Sequence, residues 1–152
     1  MDTVDRLLVE TLRSNARATY AELARVVGLS APAVHERVAK LESTQVITGY
    51  HAAVAPQALG YATAALVGVF ISDRADTDQV AAAIAELAEV EDCWFVAGEE
   101  TFVLKVRVRD VGALEHVIRS LHAIDGVART RTTVVLSTKF EGRVMPARHP
   151  AD

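Results

Sequence analysis

Between residues 19 and 50 the chain reads TYAELARVVGLSAPAVHERVAKLESTQVITGY, and its punctuation admits few folds. Thr19 and Glu22 form a T-x-x-E capping box, in which the threonine hydroxyl receives a first-turn amide and the glutamate reaches back to the cap amide. Leu23, Val26 and Val27 supply an apolar stripe. Gly28 stands where the helix must stop, because glycine accepts the left-handed backbone of a helix end. Ser30 is a good N-cap for the next helix, and Pro32 is tolerated in its first turn. Val34, Val38 and Leu41 fall on one side of that helix. Pro32, Glu36, Ala39 and Lys40 face away, flanked by Ala33 and His35, with Arg37 at the boundary. Two short helices joined by a tight turn, the second with a polar and partly basic outer face, match a helix-turn-helix whose second helix enters a DNA major groove.

Upstream, Val4, Leu7, Leu8 and Leu12 recur at helical spacing behind Asp2 or Thr3, which predicts a first helix over residues 3–14 and a three-helix head. The bland alternative is a helical bundle with a solvated charged face. The caps, the glycine turn and the composition of the third helix all agree on the DNA-reading pattern instead. In that reading Ser30, the amides at Ala31 and Lys40 contact phosphates and fix register. Ala33, His35, Glu36 and Arg37 are the candidate base-edge readers: arginine pairs with guanine, glutamate accepts from cytosine, and a small alanine admits a thymine methyl. His35 equally fits a surface groove.

Charge bears on this assignment. The 152-residue chain carries a net charge of −4. Residues 1–55 hold six Lys/Arg and six Asp/Glu, so the head is neutral and the acidity belongs to the rest. A neutral head is expected to bind DNA weakly alone and to depend on multivalency. With 51% hydrophobic and 24% charged residues the chain is an ordinary core-forming one. Its longest apolar run, residues 64–71, is far short of a membrane span, and no signal segment is read at its start, so the expectation is a cytoplasmic protein without a membrane partner. One cysteine, Cys93, excludes an internal disulfide and a cysteine-based zinc site. It lies in an apolar context and is expected to be buried. No metal site, cofactor or catalytic residue is expected: the histidines are scattered, and no acid–base dyad, nucleophile elbow or phosphate loop appears.

Residues 46–54 alternate loosely and read as an extended linker strand, with Pro56 and Gly60 punctuating the chain after it. Past Gly60 the pattern is strand, helix, strand, strand, helix, strand. The strands are expected over residues 62–72, 93–97, 101–109 and about 127–140, and Asp76 and Asp110 cap the two helices. In the third strand Phe102, Leu104, Val106 and Val108 alternate with Lys105, Arg107 and Arg109. This order predicts a ferredoxin-like βαββαβ sandwich with both helices on one face. Val103 and Val135 among basic residues make the other face partly apolar, so a second subunit is expected to cover it.

Several short stretches together resemble the Lrp/AsnC family of feast/famine regulators: Ala24, Val27-Gly28-Leu29-Ser30, Arg37-Val38, Leu41-Glu42, Val46-Ile47 and Gly49-Tyr50 in the head, then Asp92-Cys93, Val96-Ala97-Gly98 and Val127-Ala128-Arg129-Thr130-Arg131-Thr132. The resemblance covers nearly all of the chain to about Phe140. It implies an α+β protein: a (winged) helix-turn-helix three-helix head over residues 1–50, a hinge over 51–60, a ferredoxin-like effector-binding and oligomerisation domain over 61–141, and a flexible tail over 142–152. It further implies a transcriptional regulator of double-stranded DNA, a homodimer assembling to a tetramer or octamer, whose assembly responds to an amino acid. The family's effector loop, often Gly-Asp-Tyr-Asp, is here Gly98, Glu99, Glu100 and Thr101. A glutamate there suits the ligand's ammonium group, Gly98 admits close backbone approach, and two adjacent glutamates weakly favour a basic amino acid. The family usually ends its recognition helix with Gly where this chain has Gln45, so a rearranged helix end is expected. The runner-up function is a protein-interaction module that docks through its helical head.

Overall fold

The computed structural model describes residues 1–143; the remainder of the expected tail lies outside the described residues. The chain divides into two compact units, Met1–Ala53 with the segment from Phe140, and Val54–Lys139.

The first unit is helical: α1 (Thr3–Ser14), α2 (Tyr20–Val27) and α3 (Ala31–Ser43). Asp2 caps α1 through a capping box with Asp5, and Thr19 caps α2 through the expected box with Glu22. Gly28 ends α2 at φ 69°, and Leu29 N–H closes that turn onto the Ala24 carbonyl. Leu8, Leu12, Leu23, Ala24, Val34 and Val38 form the core. Val26 is a correction to the expected stripe: it is exposed, and Ala24 packs in its place. An eight-residue helix in a three-helix cluster buries only the narrow arc of positions i, i+1 and i+4, here Leu23, Ala24 and Val27.

The end of α3 also departs from expectation. Gln45 keeps the left-handed backbone itself, at φ 57°. The Val46 amide donates to the Leu41 carbonyl at 2.9 Å and the Gln45 amide to the Glu42 carbonyl at 3.0 Å. That bonding is a Schellman ending, and the Gln45 side-chain amide adds a bond to the Glu42 carbonyl. No strand forms over residues 46–54, so the described head has no wing: extended backbone becomes a strand only when a second strand takes its hydrogen bonds.

In the second unit, β1 (Thr63–Ile71), β2 (Val90–Phe95), β3 (Phe102–Val108) and β4 (Val127–Val135) form one antiparallel sheet in the order β2-β3-β1-β4. Helices α4 (Thr77–Ala85) and α5 (Val111–His122) supply Val80, Ile84, Leu114, Val117 and Leu121 to a core shared with Ala65, Val67, Val69, Phe102, Leu104, Val106 and Val108. This is the expected ferredoxin-like α+β arrangement, with helices on one face.

Two strand boundaries differ by three residues or more, and the others by two at most. β2 starts three residues early because its acidic positions are held across the sheet: Lys105 Nζ lies 3.0 Å from Glu91 and 3.7 Å from Asp92, and Arg107 also pairs with Glu91. β4 stops at Val135, which pairs with Ala64 near the start of β1, so no partner strand remains beyond it. Cys93 is a further correction. It pairs with Leu104 and so points to the helix side, but β2 is an edge strand, and Cys93 and Phe95 are both exposed. What burial Cys93 has pushes its thiol up, away from the reactive thiolate.

Candidate nucleic-acid interface and effector loop

In the head, residues 28–30 turn the chain between α2 and α3, the spacing of a helix-turn-helix. Ser30 Oγ accepts the Ala33 amide, and Pro32 has no amide, so among the described residues Ala31 retains the free amide of this turn. The serine hydroxyl hydrogen is left to donate outward. Glu36, Ala39 and Lys40 are exposed on the outer face of α3, and Ala33 is half-buried beside them. Neither Glu36 nor Lys40 makes an ion pair among the described residues.

Two candidate readers have partners inside the head. The His35 ring lies 5.0 Å from that of Tyr20 on α2, edge to face. Arg37 Nη1 lies 2.7 Å from both Asp2 Oδ2 and Asp5 Oδ1. Bonds to Asp2 and then Asp5 hold its proton more tightly than usual. The Asp5 amide and then Arg37 hold the Asp2 carboxyl below the usual carboxylate range. At the base of the head, the Tyr50 hydroxyl donates to Glu42 at 2.9 Å, and burial followed by that bond pushes the phenol up to about 12.

The loop over residues 98–101 joins β2 to β3. The Thr101 amide donates to the Val69 carbonyl, and the Val96 amide to the Thr101 carbonyl. The two glutamates differ in kind. Glu99 is exposed, whereas the Glu100 side chain, only 12% exposed, lies over the sheet and pairs with Arg131 of β4. Gly68 makes room for it: a Cβ there would stand 2.6 Å from Glu100 Cγ. This close approach at Gly68 is one that the sequence reading did not pick out. A glycine inside a strand was the available signal. The pairings of Arg131 with Glu100 and of Arg37 with Asp2 and Asp5 had none, because each joins residues distant in sequence.

The sheet face away from the helices carries Leu66 and Val103 on its two central strands and Trp94 and Val135 on its edge strands, with Phe70 under the Arg129 guanidinium at 3.6 Å. Leu66 is 43% exposed and Trp94 46%. An open groove of about 540 Å³ lies elsewhere on this unit, lined by Tyr61, Glu89, Val108, Arg109 and His116, and shares no residue with the loop.

A helix-turn-helix head with an exposed third-helix face, followed by a separate α+β domain, defines a class: DNA-binding transcription regulators with a ligand-binding domain. Comparison with known proteins makes the class specific. Residues 1–42 match the AsnC-type helix-turn-helix domain, and residues 64–145 the Lrp/AsnC ligand binding domain. The chain belongs to the Lrp/AsnC family. It is 41% identical over 143 residues to the HTH-type transcriptional regulator LrpA of Mycobacterium tuberculosis, covering 94% of this chain and 95% of that protein. It is 33% identical to the regulatory protein AsnC of Escherichia coli K12, covering 96% and 97%. Among solved structures, the feast or famine regulatory protein of M. tuberculosis complexed with L-methionine superposes with a TM-score of 0.88 at 41% identity, over 95% of this chain and 97% of that one. Among the described residues no helix is long and apolar enough to cross a membrane.

Proposed function

We propose that this regulator reads operator DNA through the outer face of α3 and changes its assembly, and hence its DNA occupancy, when an amino acid binds at the 98–101 loop. The observation that carries the first half is the open outer face of α3, with Glu36 and Lys40 exposed and Ala33 half-buried beside them, beyond a three-residue turn. Ser30, the Ala31 amide and Lys40 hold phosphates; Ala33, Glu36 and, from the α2 side, His35 meet base edges. Because the head has no net charge, dimers and higher even assemblies supply the affinity, placing two recognition helices about one helical turn apart. The assembly begins with a second subunit on the apolar sheet face around Leu66 and Trp94. The chain acts in the cytoplasm as a regulator rather than an enzyme.

For the effector, the exposed Glu99 takes the ammonium group. Glu100 is already matched by Arg131, which removes the second carboxylate that favoured a basic ligand. A neutral amino acid fits better, and the methionine complex of the M. tuberculosis relative makes L-methionine the first probe. Calorimetry with methionine and lysine, paired with sedimentation, tests this. Methionine binding with a change in mass supports it; a response to lysine alone restores the basic preference. Binding to the chain's own promoter fragment, with log affinity falling linearly in log salt, tests the DNA half against a protein-docking head.

A further inference from the structure

We infer that Arg37 is a positioning residue: it anchors the recognition helix to the N-terminus of α1 and does not itself read a base. This rests on the DNA-binding reading of α3 and reassigns one residue within it.

The geometry is a closed set of four bonds. The Asp2 carboxylate gives Oδ1 to the Asp5 amide and Oδ2 to Arg37; the Asp5 carboxylate gives Oδ2 to the Asp2 amide and Oδ1 to Arg37. The capping box that starts α1 is therefore also the receptor for a guanidinium from α3, 32 and 35 residues further along the chain. Asp5 is only 18% exposed and Arg37 36%, so this linkage is partly shielded from solvent. Both bonds leave from Nη1, so its two protons are committed, and turning that edge of the guanidinium to a guanine would give up two charge-assisted carboxylate partners for one base edge. Held where it is, Arg37 fixes the rotation and tilt of α3 against α1, and with them the direction in which Glu36 and Lys40 project. Packing by Val34 and Val38 is non-directional by comparison.

Selection from a randomised DNA duplex pool separates the two roles, using the full chain and the variants R37A, R37K and D5N, with thermal melting followed in parallel. A positioning residue predicts that R37A weakens binding and flattens preference at several base pairs together. D5N should reproduce that profile although it removes a negative charge, and R37K, which can still reach Asp5, should recover it in part. If R37A does not fold, D5N and R37K decide the matter. Loss of preference at one guanine in R37A, with D5N binding as tightly as wild type and keeping its profile, would overturn the assignment. A wild-type chain that enriches no sequence would instead overturn the DNA-binding reading on which it rests.

Discussion

Gln45 shows what one residue can be made to do by its surroundings. A non-glycine residue in the left-handed region costs on the order of 1–2 kcal/mol, yet two backbone bonds and its own side-chain bond keep it there. Replacing it by glycine relieves that strain while adding about 0.5–1 kcal/mol of backbone entropy to lose, so Q45G is expected to stabilise the head by about 0.5–1 kcal/mol. A rise in the melting temperature of the head checks it; a fall would mean that the Gln45–Glu42 bond outweighs the strain. Tyr50 gives a pH prediction. Its folded value of about 12 lies above the value of about 10 of an unfolded chain. The folded state therefore holds the proton more tightly, and this contribution is present below about 10 and lost as pH rises from about 10 to about 12. Ultraviolet titration should show the Tyr50 phenolate forming late, and E42Q should bring it back toward the ordinary value.

The helices of the head are built from local instructions, which is why they were legible. Thr19 and Ser30 cap the helices that the sequence assigns to them, and Asp2 takes the first cap that the sequence leaves between Asp2 and Thr3, because a cap bonds an amide only three residues on. Bonds from the Thr19 amide and then its hydroxyl hold the Glu22 carboxyl below its usual range. Its contribution is thus present above the ordinary carboxylate value and lost as pH falls through the depressed one. T19A should cost about 1 kcal/mol of head stability near neutral pH and make the remaining stability less sensitive to acid, measured by helical circular dichroism across an acid titration. The strands were less legible. Their approximate places followed from alternation and apolar runs, but β2 began early through cross-strand pairs of Glu91 and Asp92, and β4 ended where β1 ran out. Both are facts about a neighbouring strand.

For the whole molecule the testable quantity is assembly. The sheet face bearing Leu66, Val103 and Trp94 is left partly open among the described residues, and Leu66 lies at its centre, opposite Lys105 on one side and Thr133 on the other. L66E places a charge where a second subunit would pack and should leave the helix-side core untouched, since Leu66 points away from it. Sedimentation should then report a smaller assembly with unchanged secondary structure, and operator binding should weaken with it if neutral heads depend on multivalency. An unchanged mass would move the subunit contact to another surface.

The sequence alone determined what depends on near neighbours: the caps, the glycine turn, the three helices, the strand–helix order and the family motifs, since each is set by backbone bonds or side-chain periods spanning a few residues. Only tertiary structure decided the pairings. It committed Arg37 to Asp2 and Asp5, laid Glu100 over Gly68 against Arg131, and left Cys93 exposed on an edge strand. The physical reason is the same in each case: a charge or an apolar side chain takes whatever partner the fold brings within a few ångströms, and periodicity along one segment does not say which distant segment that is.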